Sequence, residues 1–267
     1  MTDPFPHVVR RGEGAPLLFV HGNGVDHRLL LGLDPVFAAS GRWERIYLDL
    51  AGFGRTRALE GRAGLPDLAD WLDGVVDSLI GSAPFAVVGN SLGGLLARDI
   101  VSRRPKQCLG MALLAPAVDP VRERRRLPEP EVLFEDPRLL ASLDPRDAAD
   151  YAELAVLQTP DNWARFRDAA LPGIRAADEG AMGRLGDLYE LPAFADDWES
   201  FERPVLIVAG KQDAVVGHED QRGVMGSGTA MACRRQVGAA GARPLGGRAR
   251  SVVESAILEG GVDVHPQ

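Results

Sequence analysis

Phe85-Ala86-Val87-Val88-Gly89-Asn90-Ser91-Leu92-Gly93-Gly94 is the stretch on which the fold turns. Four apolar, mostly β-favouring residues run straight into Gly89-Asn90-Ser91-Leu92-Gly93, after which Leu95, Leu96, Ala97 and Ile100 resume at helical spacing. The pattern predicts a strand, a sharp turn and a helix, with Ser91 at the tip. A serine hydroxyl is a poor nucleophile unless it is held exposed, near a base, with N–H groups waiting for the oxyanion. Such a turn forces Ser91 to positive φ and brings the chain on either side very close to itself. Gly89 and Gly93, two residues to each side, therefore have a mechanical reason to be glycine.

Working outward, Leu68, Trp71, Leu72, Val75, Val76 and Leu79 fall at three- and four-residue steps and predict an amphipathic helix from Leu65 to Leu79. Arg45–Leu50, Leu109–Ala115 and Pro204–Gly210 are further buried-strand runs. Strand and helix alternate, which predicts an α/β fold with a doubly wound, mainly parallel sheet. His7–Arg11 and Pro16–Val20 are short β-type runs separated by Gly12-Glu13-Gly14, which reads as a hairpin entering that sheet.

Three more loops stand at strand ends: His21-Gly22-Asn23-Gly24, Asp49-Leu-Ala-Gly52-Phe-Gly54, and Gly210-Lys-Gln-Asp213. With the Gly-x-Ser-x-Gly turn, they resemble the α/β-hydrolase superfamily. The resemblance implies Ser91 as nucleophile, Asp213 as triad acid, and the backbone N–H groups of Asn23 and Leu92 as oxyanion donors. Asp119, after the preceding strand, matches an acid position used in some relatives and ranks behind Asp213. The superfamily's base follows the serine in chain order, so His21 is expected to shape its loop and not to move protons. Asp49 is expected to anchor its loop by hydrogen bonds. His27 is expected to open the next helix and to be exposed.

The implied activity is hydrolysis of a small, largely apolar ester or related carbonyl substrate through a Ser91 acyl intermediate. The substrate is a small molecule, and neither a metal nor an organic cofactor is expected. An acyltransferase, a cofactor-free haloperoxidase and a C–C bond hydrolase share the same parts, as does an inactive ligand-binding relative.

Residues 1–118 and 203–221 read as the core, and 119–202 as a helical lid inserted over the serine. The lid begins with a basic run, Arg122 to Arg126, expected to be a solvated face. Alanine-rich helical patches follow, broken by Pro128, Pro130, Pro137, Pro145, Pro160 and Pro172. Phe134, Tyr151, Leu154, Trp163, Phe166, Leu188 and Phe194 are candidates for the substrate pocket, most of them expected to be lid core.

Residues 222–267 read differently. Where a Gly-His is due there stands Val237-Gly-Ala-Ala-Gly-Ala-Arg-Pro244. The later histidines are His218, too near Asp213 to be the usual base, and His265. From Gln221 to Val253 there is no acidic residue and no aromatic, while arginine, glycine and alanine accumulate. Nearly all basic residues of the chain are arginine, which suggests GC-rich coding, and an out-of-frame reading of such DNA yields this mixture. The final strand and helix are then expected to be mis-specified, leaving an exposed sheet edge, with some helix near Ser251 to Leu258.

A chain of 267 residues suits one α/β domain with an insertion. Its net charge of −8 argues against nucleic-acid and anionic-membrane partners. Met1-Thr-Asp-Pro-Phe-Pro has no basic region followed by an apolar core, and a cytoplasmic protein is expected. Cys108 and Cys233 give neither a disulfide framework nor metal-ligand spacing. Oligomeric state is not legible.

Overall fold

The apolar runs form strands, and the 3.6-residue pattern forms a helix, in a computed structural model that describes residues 3–61, 63–191 and 201–221 and the backbone of 229–234. In chain order the elements are β1 (Val8–Arg11), β2 (Ala15–Val20), α1 (Arg28–Leu31), α2 (Asp34–Ala38), β3 (Trp43–Leu48), α3 (Leu65–Leu79), β4 (Phe85–Asn90), α4 (Leu92–Arg103) and β5 (Cys108–Leu114). Five helices follow: α5 (Pro137–Ser142), α6 (Pro145–Leu154), α7 (Pro160–Ala169), α8 (Leu171–Ala176) and α9 (Glu179–Asp187). The last described elements are β6 (Val205–Gly210) and β7 (Thr229–Arg234).

The strands make one seven-stranded sheet in the order β1-β3-β2-β4-β5-β6-β7. All neighbours are parallel except β1, which runs antiparallel to β3. The expected β1–β2 hairpin does not form, because β3 lies between the two strands. Gly12 (φ 71°) and Gly14 (φ 123°) carry the link past the start of β3. There the Arg42 carbonyl accepts the Ala15 N–H at 3.0 Å and fills the space a Cβ on Gly14 would need.

Alternation along the strands sorts the core onto two faces. Leu18, Val20, Ile46, Leu48 and Val87 pack under α3 and α4 with Leu72, Val76, Leu95, Leu96 and Ile100. Leu17, Phe19, Tyr47, Ala86 and Val88 face the other way, with Leu30 of α1 and Phe37 of α2. Burying each Leu or Val of α3 contributes about 1.5–3 kcal/mol, and the helix is started by Asp67 Oδ2, which accepts the Gly64 N–H at 2.8 Å. The fold is a doubly wound, mainly parallel α/β sheet, as expected. Among the described residues, no helix is long and apolar enough to cross a membrane.

Helices α5 to α9 all lie between β5 and β6. Three of the prolines read as breakers are instead starters. Pro137, Pro145 and Pro160 are the first residues of α5, α6 and α7, directly after the caps Asp136, Asp144 and Thr159. A missing N–H costs nothing in the first turn, and a fixed φ suits it. Tyr151 is fully buried and packs against Trp163 and Phe166, so these three form the core of the insertion. Phe194 and the Ser251 to Leu258 segment fall outside the described residues.

β7 occupies the edge beyond β6, where the tail composition had predicted an exposed edge. A parallel ladder requires paired backbone groups and a short apolar run, which Thr229-Ala-Met-Ala-Cys-Arg234 supplies without any aromatic.

Candidate active site

Ser91 has φ 51° and ψ −116°, a conformation that L-residues rarely adopt. The turn is held by its neighbours. The Leu114 carbonyl accepts both the Ser91 N–H (3.1 Å) and Asn90 Nδ2 (2.9 Å), and the Ser91 carbonyl accepts the Ala117 N–H (3.0 Å). A Cβ on Gly89 would overlap the Gly93 carbonyl, and one on Gly93 would overlap the carbonyls of Val20 and His21. β2, the loop after it and α4 therefore meet at van der Waals contact only because these positions are bare.

Leu92 is the first residue of α4, so its N–H has no acceptor within the helix. Gly22 lies against the elbow from the other side, where a Cβ would come within 3.2 Å of Ser91 Cβ. This sets Asn23, the next residue, beside the serine.

Two cavities meet at Ser91. The first, about 420 Å³, is lined mainly by apolar side chains, among them Ala115, Val132, Leu154, Val156 and Val216, and includes Asp213. The second, about 590 Å³, includes Asn23, Arg122, Glu123, Arg125 and Tyr189. Leu154 and Leu188 thus reach cavities, one each, whereas Tyr151, Trp163 and Phe166 line neither. Phe134 is exposed and also lines neither.

Asp213 Oδ1 accepts the backbone N–H groups of Val215 and Val216, both at 2.9 Å. That turn fixes the carboxylate in the first cavity. Asp119 lines neither cavity, and its Oδ1 accepts the Val121 N–H at 2.8 Å. Arg125 departs from the expected solvated face. Its guanidinium donates to the carbonyls of Asp119 (2.8 Å), Pro120 (2.8 Å) and Val215 (2.9 Å), tying the segment after β5 to the Asp213 loop.

His21 is fully buried with both ring nitrogens occupied. Nε2 accepts the Leu50 N–H at 2.9 Å, which leaves Nδ1 to donate to the Gly22 carbonyl at 2.7 Å. Burial also lowers its pKa. It shapes its loop, as expected.

His27 is not exposed, contrary to expectation. It is buried, with Nδ1 2.7 Å from Asp49 Oδ1, which also accepts the His27 N–H at 2.9 Å. Asp49 Oδ2 accepts the Arg55 N–H at 3.0 Å. Burial alone would raise the Asp49 pKa, but the hydrogen bonds from His27 and Arg55 hold it at about 2. Asp49 is the loop anchor expected from the sequence.

His7 completes a cluster with His27 and Asp49 that chain spacing had concealed, since the three come from distant positions. His218, like the other described histidines, lines neither cavity. His265 lies outside the described residues. Burial pushes the Cys108 thiol up to about 12, so it stays protonated.

Comparison with known proteins agrees with the fold. The Alpha/beta hydrolase family profile matches residues 17–253, continuing past Gln221. A pimeloyl-[acyl-carrier protein] methyl ester esterase of Shewanella woodyi is 33% identical over 109 residues, spanning 41% of this chain and 39% of its own. The lipase LipV of Mycobacterium tuberculosis is 31% identical over 219 residues, covering 75% of this chain and 73% of its own. In structure, an alpha/beta superfamily hydrolase from Oenococcus oeni PSU-1 superposes with a TM-score of 0.79 at 22% identity, covering 86% of this chain and 87% of that one.

Proposed function

Because the chain belongs to the alpha/beta hydrolase family, we propose that it is a hydrolase of carboxylic esters or related carbonyl compounds in which Ser91 is the nucleophile. The observation that carries this reading is the strained Ser91 turn at the junction of two cavities, with Asp213 in one and Asn23 in the other. Ser91 Oγ attacks the carbonyl carbon as its proton passes to a base, and the oxygen of the tetrahedral intermediate takes the N–H groups of Asn23 and Leu92. Collapse expels the alcohol with that proton. Water then cleaves the acyl-Ser91 bond, releasing the acid. Asp213 is the acid that orients the base.

The cavities suggest a substrate with two unlike arms, an apolar arm among Leu154, Val156 and Val216 and a more polar one beside Arg125 and Tyr189. In this reading the described part of the insertion between β5 and β6 acts as the lid that shapes both. Access of water beneath it decides hydrolysis against acyl transfer.

A second reading has its own support: among the described residues, no histidine lines either cavity. In that reading the fold keeps its ligand site but has lost the base, and catalysis falls to what the oxyanion hole and binding alone supply. One experiment separates the two. The hydrolase reading expects a fluorophosphonate probe to label Ser91, with labelling and ester turnover both lost in Ser91→Ala. Labelling at another residue removes the assignment, and ligand binding without labelling selects the second reading.

A further inference from the structure

His7, His27 and Asp49 come from the segment before β1, the residue preceding α1 and the residue after β3, and each offers a ligand atom within 4.8 Å of the other two. Asp49 is wholly buried and His27 nearly so. His7 Nε2 is buried as well and has no hydrogen-bond partner among the described residues. A buried imidazole nitrogen without a partner leaves its desolvation uncompensated, while Asp49 beside it already accepts hydrogen bonds from His27 and Arg55.

Beside His27, the nearby arginines do not pair with Asp49 through their side chains. Arg28 pairs with Asp26 at 3.1 Å, and Arg55 reaches Asp49 through its backbone N–H. Two imidazoles and one carboxylate from separate elements are a donor set that zinc-like ions favour.

We propose that His7, His27 and Asp49 bind a divalent transition-metal ion of the zinc type, with a fourth position left to water. Coordination through His27 Nδ1 replaces its hydrogen bond to Asp49 Oδ1, and ligand bonds of about 2.0–2.2 Å require His7 to move in. His7 is half-buried and directly precedes β1. The ion is a clamp and not a reactant, because none of the three residues lines a cavity at Ser91. It ties the segment before β1, where the His7 carbonyl already accepts the Asp49 N–H at 2.9 Å, to the loop that runs from His21 through Asn23 to His27.

The test uses the full chain after chelator treatment, titrated with Zn²⁺ alone by calorimetry and with Co²⁺ alone by visible absorption. One equivalent should bind, Zn²⁺ should raise the melting temperature, and His7→Gln should weaken binding by at least about tenfold with the metal-free melting temperature unchanged. His27→Gln should do the same to binding, and if it fails to fold, His7→Gln decides alone. Absence of saturable binding to the parent chain overturns the proposal. So does binding that survives His7→Gln, or that disappears in His265→Gln.

Discussion

At the scale of single residues, the site depends as much on absent side chains as on present ones. Gly93→Ala places a methyl group against two backbone carbonyls that cannot withdraw, so it should cost about 3 kcal/mol, read as a lower urea midpoint with unchanged slope. Asp34 makes the opposite case. Its carboxylate accepts Arg45 Nε (2.8 Å), the Tyr47 hydroxyl (3.0 Å) and Arg11 Nη1 (3.1 Å). Burial raises its pKa, but these donors outweigh burial and hold it below the ordinary carboxylate value. Asp34→Asn leaves the Arg45 guanidinium, 9% exposed, without its counter-charge, and should cost about 3 kcal/mol at pH 7. Because the folded pKa is depressed, the native advantage over the variant is fully present above the unfolded value. It should shrink as the pH falls from about 4 through the folded value, so denaturation of both proteins at pH 7 and pH 3 checks the sign as well as the size.

At the scale of elements, α3 and the strands were legible because periodicity reports which face is buried, and burial dominates their energetics. Pairing order was not legible. Nothing in the spacing of Val8–Arg11 and Ala15–Val20 says that a third strand will slide between them, since the same glycines serve a hairpin or a crossing link. The elbow and its flanking loops were readable because steric demands there restrict residue type. His27 was misread for the complementary reason: a polar side chain advertises exposure, while its burial is decided by a partner that arrives from elsewhere, Asp49. The prolines of the insertion gain meaning only beside their caps. Thr159 Oγ1 accepts the Asn162 N–H at 3.2 Å, and Thr159→Ala should cost about 1 kcal/mol by thermal melting. Leu154, at the end of α6, tests the apolar arm. Leu154→Trp should raise KM for long-chain acyl esters about tenfold, leave acetate esters unchanged, and show no effect on kcat for either if the first cavity holds the acyl chain.

For the whole molecule, the open matter of the base belongs to the tail. If residues after Gln221 are an out-of-frame reading, another frame of the gene encodes a Gly-His set between strand and helix patterns at that distance. Sequencing the locus and finding no such frame would remove the idea, and a restored chain should turn over esters faster than this one while binding them alike. The sheet order carries a separate consequence for how the chain assembles. Phe85 pairs with Cys108, Ala15 with Trp43, Leu17 with Ala86 and Val205 with Thr229, and the two strands nearest in sequence, β1 and β2, do not pair. Among the described residues, then, the sheet has no local hairpin from which folding could start. The emerging polypeptide can lay β3 between β1 and β2 before β4 is made, and β4, the strand that presents the serine, then adds to the open side of β2.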